Sequence, residues 1–293
     1  MGEGEWFATF CRNLRIGREK RESIAYRTAR IAAQLNRDLR GLSSSMANRF
    51  YAGSYGRNTA IPSVSDVDLV YELPASLHQR FNNHVGNGQS ALLSLIKASI
   101  RNTYRVTDMV GDGQVVVIRF DDGTRFDVLP AFLNIGGYYT FADSNSGGSW
   151  RSCKPKQEME AFSLRDGMCN GNLVELGRMT RAWRDCCNVG ISGMLIDTLA
   201  YQFLATWAYR DKSYVYYDYM TRDFFHFLAN LNISQGYWLA PGSNSYVSRG
   251  PVFQHKARAA ELRALEAIAH QLRGENWSAR RKYREIYGTA FPA

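Results

Sequence analysis

Apolar residues recur at helical spacing at Ile24, Ile31, Leu35 and Leu39, separated by polar positions, which predicts an amphipathic helix over about residues 18–41 with one face to bury. Gly41 and the serines at 43–45 stop it. Arg49 to Ala52 reads as a short strand entering Gly53-Ser54-Tyr55-Gly56, and Asp66 to Leu73 as a second strand closed by Pro74. Leu92, Leu93, Ile96, Ile100 and Tyr104 mark a following helix. The run Val115 to Ile118 and the segment Arg125 to Leu129 flank Asp121-Asp122-Gly123, which suits a tight hairpin turn. Residues 134–149 are rich in Gly, Ser and Asn and are expected to form an exposed loop joining two parts of the molecule.

Further along, Leu173, Leu176, Met179 and Trp183 share a helical face, as do Ile196, Leu199, Phe203 and Trp207, and Tyr217, Met220, Phe224 and Leu228. A last long helix over about 251–273 is Ala-rich, with Glu261, Arg263 and Glu266 expected outward. No internal repeat is evident. The pattern predicts an α+β protein: a mixed-sheet lobe over residues 1–150, carrying the long first helix, and a helical-bundle lobe over 151–293.

Composition adds little to this, with 45% hydrophobic and 22% charged residues, and argues against wholesale disorder. The apolar run Met194 to Phe203 is broken by Asp197, Thr198 and Gln202, well short of the roughly 20 residues that span a bilayer, so no membrane is expected. The N-terminus is acidic where a signal peptide is basic, and Trp6 stands where a myristoylation signal has Ser or Thr; a cytoplasmic protein is expected. Five cysteines without C-x-x-C spacing read as reduced and mostly buried thiols, Cys186-Cys187 as two small core residues. The five histidines show no metal-binding pair. Net charge changes the picture more: at +9, with Arg and Lys concentrated over Arg12 to Arg40 and Arg280 to Arg284, the chain attracts polyanions. Solvated helix faces and phosphate ligands account for those runs as well as a nucleic-acid surface does, so nucleic-acid binding is possible but not required.

The chemistry concentrates in the predicted strands. Asp66 and Asp68, two apart, point to one strand face while Val67 points to the other. Adjacent like charges need compensation, and hard oxygen ligands at this density favour Mg²⁺ or Mn²⁺. Asp127 alternates with Phe126 and Val128 in a neighbouring strand, which supplies a third carboxylate, and two metals roughly 3.5–4 Å apart need such a bridging set. Gly53-Ser54 lies upstream after a strand, where a glycine permits close backbone approach and a hydroxyl can hold phosphate oxygens.

Gly53-Ser54-Tyr55-Gly56, Ser65-Asp66-Val67-Asp68-Leu69-Val70 and Phe126-Asp127-Val128-Leu129-Pro130 together resemble the nucleotidyltransferases of the polymerase-β superfamily, and within them the bacterial cGAS/DncV-like enzymes, the CD-NTases. The resemblance extends through Lys154-Pro155-Lys156, Leu176 to Trp183, Ser192 to Leu199 and the closing Phe291-Pro292, most of the chain. It implies a bilobed polymerase-β-like fold with the active-site cleft between the lobes. It further implies a metal-dependent enzyme in which Asp66, Asp68 and Asp127 bind two Mg²⁺ or Mn²⁺ ions and carry the catalysis. Gly53 and Ser54 would hold the β and γ phosphates of an NTP, and Arg181 and Ser192 would reach the triphosphate, although a helix-face charge and a helix cap explain these last two equally well. Relatives often carry Lys where Arg181 stands and an aromatic where Gly193 stands, so no base-stacking residue is assigned.

The implied product is a cyclic di- or trinucleotide second messenger, made with pyrophosphate release, in bacterial anti-phage (CBASS) signalling with regulatory or effector proteins of a defence operon as partners. The same three carboxylates also serve template-independent transfer of a nucleotide to RNA, a small molecule or a protein.

Overall fold

A computed structural model describes residues 2–64 and 66–293; Ser65 of the Asp-x-Asp motif lies outside the described residues. The apolar stripe predicted first does form a helix, the second of the chain. A short α1 (Glu3–Asn13) precedes α2 (Arg18–Arg40), which stops at Gly41, whose left-handed backbone, φ 62°, turns the chain so that the Leu42 N–H returns to the Asn36 carbonyl at 3.1 Å. Then come β1 (Arg49–Tyr51), the single turn α3 (Gly53–Gly56), β2 (Asp66–Glu72), α4 (Ser76–Asn82) and α5 (Gly88–Arg101). Five strands follow: β3 (Asp108–Asp112), β4 (Val115–Arg119), β5 (Arg125–Leu133), β6 (Tyr139–Asp143) and β7 (Ser149–Cys153). The rest is mostly helical: α6 (Pro155–Met168), α7 (Asn172–Cys186), α8 (Gly193–Thr206) and α9 (Tyr217–Ala229), a small hairpin β8 (Tyr237–Leu239) and β9 (Tyr246–Ser248), then α10 (Gln254–Leu272) and α11 (Asn276–Tyr287).

The chain divides into two compact units: one of residues Ile16–Gly56 and Ser63–Met159, the other of the residues up to Arg15, Arg57–Pro62 and Glu160–Ala293. A boundary at 150 would cut β7, and α1 belongs with the later helices rather than with the sheet.

In the sheet unit the strand order is β1-β2-β5-β4-β3, with β6 on the later half of β5 and β7 on β6. Among the described residues only β2 and β5 run parallel. Val67, Leu69 and Tyr71 of β2 and Phe126 and Val128 of β5 face a core closed by Ile24, Ile31 and Leu35 of α2 and Leu92, Ile96 and Ile100 of α5. Strand periodicity therefore turns residues 66, 68 and 127 to the opposite face. Asn36, fully buried, fixes the entry to β1: its amide donates to the Ser44 and Ala47 carbonyls at 2.8 and 3.0 Å, and its oxygen accepts from Asn48 and from the Tyr71 hydroxyl at 2.8 and 3.1 Å. The expected loop over 134–149 is corrected: Tyr139, Phe141 and Ala142 are buried in β6. The Gly and Asn residues there belong to the tight turns, where Asn134 donates to Phe132, Tyr138 and Thr140 and Gly137 takes φ 74°.

In the helical unit the three predicted stripes bury together with Trp6, Phe7 and Phe10 of α1. The alanines at 257, 260, 264 and 267 let α10 approach its neighbours closely. Two expectations fail. Glu261 is buried rather than outward, accepting from His226 Nδ1 at 2.8 Å and from Arg258. Cys186 is exposed and Cys187 only half-buried, because the helix ends there.

Candidate active site

Asp66 and Asp68 stand on one face of β2, the first exposed and the second half-buried, with Val67 and Leu69 sealed in the core on either side of Asp68. The parallel register sets Asp127 of β5 directly opposite Asp68, and Arg125 opposite Asp66. Gly53 comes up against this pair. Its φ of 57° suits glycine, and a Cβ built there would sit 1.7 Å from Asp68 Oδ2, so the turn can lie on the carboxylate only without a side chain. The Ala52 N–H donates to the Asp68 carbonyl at 2.9 Å and pins the turn to β2. Gly56 closes it: a Cβ there would meet the Tyr51 carbonyl oxygen at 2.5 Å and Met159 Sδ at 2.8 Å. Ser54 lies half-buried within the same turn. The structure thus brings Gly53, Ser54, Asp66, Asp68 and Asp127 together.

Arg125 is the residue that sequence reasoning missed. Its guanidinium forks onto Asp127, Nε to Oδ1 at 2.6 Å and Nη2 to Oδ2 at 2.9 Å. That hydrogen bond, together with the charges of Asp127 and Asp66, outweighs desolvation and raises the arginine pKa further. The signal was legible, since residues 125 and 127 are two apart on one strand and so share a face. Among the described residues no three His, Cys, Asp or Glu side chains are arranged around a common point as a preformed metal cage. The donor chemistry nevertheless fits Mg²⁺ or Mn²⁺: three carboxylates on one face of two adjacent strands, with a guanidinium supplying the positive charge that such a set requires.

Arg181 and Ser192 lie in the helical unit, each already committed. Arg181 is buried and donates from Nη1 to Asp197 Oδ1 at 2.6 Å and from Nη2 to Asp197 Oδ2 at 2.9 Å, with further bonds to the Gly177 and Gly193 carbonyls. Asp197 also accepts from Arg57 Nε at 2.9 Å and Thr59 Oγ1 at 3.1 Å. Burial pushes the Asp197 carboxyl up, but Arg181 and Arg57 prevail and hold it below its ordinary range. Ser192 is exposed and caps α8, its hydroxyl accepting from the Leu195 N–H at 3.2 Å. The two departures noted in the sequence explain one another: a Cβ on Gly193 would lie 3.2 Å from Arg181 Nη2, so the broad guanidinium and a side chain at 193 compete for the same space.

Comparison with known proteins gives one family. The model of the Second Messenger Oligonucleotide or Dinucleotide Synthetase domain matches residues 1–165. Among solved structures, the complex of E. coli MS115-1 CdnC with HORMA-deltaN superposes with a TM-score of 0.72 at 14% identity, covering 99% of this chain and 98% of that one. The Bradyrhizobium diazoefficiens CD-NTase CdnG in complex with GTP gives 0.66 at 13%, over 98% and 95%. Vibrio cholerae DncV cyclic AMP-GMP synthase, with a linear intermediate, gives 0.65 at 15%, over 83% and 69%. At these identities the likeness is one of fold, and it confirms the mixed α/β architecture. No curated protein matches the chain in sequence. Among the described residues no helix is long and apolar enough to cross a membrane.

Proposed function

Because the chain belongs to the second messenger oligonucleotide or dinucleotide synthetase family, we propose that it joins nucleoside triphosphates into a cyclic di- or trinucleotide at the face shared by β2 and β5. As a family member it is a nucleotidyltransferase acting on nucleotides, with pyrophosphate as the leaving group. The observation that carries the site assignment is the register that sets Asp127 opposite Asp68, with Asp66 on the same face and Gly53 against Asp68.

In this reading Asp66, Asp68 and Asp127 would hold two Mg²⁺ or Mn²⁺ ions. Such ions, when bound, neutralise triphosphate charge and acidify the attacking ribose hydroxyl. Gly53 leaves the backbone of the turn open for the β and γ phosphates, and Ser54 offers its hydroxyl to them. Arg125 shares the Asp127 carboxylate and would compete with such an ion for its oxygens. Arg181 and Ser192 keep structural roles, one neutralising Asp197 and the other capping α8.

A role in bacterial anti-phage signalling, with a regulatory protein as partner, belongs to the same proposal; CdnC, of similar fold, has been solved with HORMA-deltaN. The test is incubation with all four NTPs and Mg²⁺ or Mn²⁺, phosphatase treatment and mass spectrometry, beside an Asp66→Ala/Asp68→Ala double variant. A phosphatase-resistant cyclic product, absent from the variant, is expected. Product only on addition of RNA or another acceptor would replace cyclisation by transfer to that acceptor.

A further inference from the structure

Helix α11 carries Trp277, Arg280, Arg281 and Arg284 at spacings of three, four and seven residues, so the four share one face, while Ala279, Tyr283 and Ile286 anchor the helix in the core. Together with Ala293 they line a pocket of about 200 Å³. Trp277 is 64% exposed, with the Arg281 guanidinium 5.1 Å from its ring centre. Arg280 packs over Trp6 at 5.6 Å and donates to the Ala293 carbonyl, yet its Nε is buried without a hydrogen-bond partner. The carboxylates nearest in sequence are engaged elsewhere: Glu285 with Arg263 and Lys282, and Glu275 with Arg273 and His270. Among the described residues none of the three arginines pairs with a carboxylate side chain.

The chain's other basic run offers less. On α2, Arg27 pairs with Asp122 at 2.9 Å and stacks on Phe120, Arg30 lies over Tyr104, and Arg40 donates to the Glu72 carbonyl. A face that combines three guanidiniums unpaired with any carboxylate side chain and an open indole has specific chemistry. Guanidinium forks match phosphodiester oxygens, and an exposed indole is a platform for an aromatic base. Arg280 and Arg284 are one helical turn apart, about 6 Å along the axis, so each can take a different phosphate.

We propose that this face of α11 binds single-stranded nucleic acid, with phosphates on Arg280, Arg281 and Arg284 and an unpaired base on the free side of Trp277. A duplex keeps its base faces stacked inside and cannot use the indole, which is why the single strand is the ligand that fits. The binding is separate from the carboxylate site on β2 and β5 and does not depend on catalysis.

The test uses the full chain and a 5′-fluorescein-labelled oligo(dT) 12-mer, read by fluorescence anisotropy over a series of salt concentrations. Trp277→Ala is expected to weaken binding roughly tenfold. Arg281→Glu/Arg284→Glu is expected to weaken it further and to lower the salt slope by about 1.4, the share of two phosphates on a single strand. Thermal melting checks that both variants stay folded, and Trp277→Phe, which keeps a stacking ring, should recover most of the loss. Asp66→Ala/Asp68→Ala should bind like the unaltered protein. The proposal is overturned if the oligonucleotide does not bind, if Trp277→Ala binds as tightly as the parent, or if the same sequence as a duplex binds equally well. Binding of phosphatidylserine vesicles in place of the oligonucleotide would also overturn it.

Discussion

Replacing Asp197 by Asn keeps the shape of the side chain and removes its charge, leaving the buried Arg181 without the carboxylate that both its terminal nitrogens bond. Side-chain exposure is 1% for Asp197, 3% for Arg181 and 6% for Arg57, so water cannot take over the role of the carboxylate. Breaking a buried pair in this way costs about 3–5 kcal/mol. For a domain of this order of size, each kcal/mol shifts the melting temperature by roughly 2–4 °C, so Asp197→Asn should melt about 6–20 °C below the parent. The pH dependence follows from the carboxyl pKa being depressed in the folded state. Its stabilisation is fully present above the unfolded value of about 3.9 and is lost as pH falls through the lower folded value. The gap between parent and variant should therefore be constant from pH 5 to 8 and narrow only in stronger acid. Differential scanning calorimetry across that range measures it. A gap under about 2 °C, or an unchanged melting temperature with a raised KM for NTP, would refute the structural role and return Arg181 to the triphosphate.

Gly53→Ala should fold yet lose about 10²-fold in pyrophosphate release, because its Cβ displaces the Asp68 carboxylate and a shift on the order of 1 Å costs that much. Arg125→Met should bind Mn²⁺ up to about fivefold more tightly by isothermal calorimetry, the half-exposed ion pair with Asp127 being worth at most about 1 kcal/mol. Asn36→Ala removes the amide that holds Ser44, Ala47, Asn48 and Tyr71, and urea denaturation should show a loss of about 2–4 kcal/mol.

Much of this arrangement could be read from residue order, and the parts that could not share a cause. Period two assigns Asp66, Asp68 and Asp127 to polar strand faces whatever the topology. The parallel pairing that sets Asp127 beside Asp68 links segments some sixty residues apart, and only the fold decides it. The hidden strand β6 escaped because its flanking turns dominate the composition: two aromatic residues and an alanine in a field of Gly, Ser and Asn carry little periodic signal. Glu261 escaped for the opposite reason. Its helical position is polar by rule, and it is buried where His226 of α9 meets one of its oxygens while Arg258, three residues earlier on α10, takes the other.

Asp127 and Asp197 are both neutralised by arginine, and the difference between them separates what can move from what cannot. Asp127 and Arg125 are 18% and 33% exposed, neighbours on one strand, and their bond can be exchanged because water screens both partners. Asp197 is sealed by two arginines and a threonine in the helical unit, and releasing Arg181 would strip the carboxylate of charge compensation where water does not reach. An arginine that is a functional place-holder must sit where its departure is cheap, which points to Arg125. An arginine whose departure strands a buried charge fixes architecture, and Arg181 occupies such a position against Asp197.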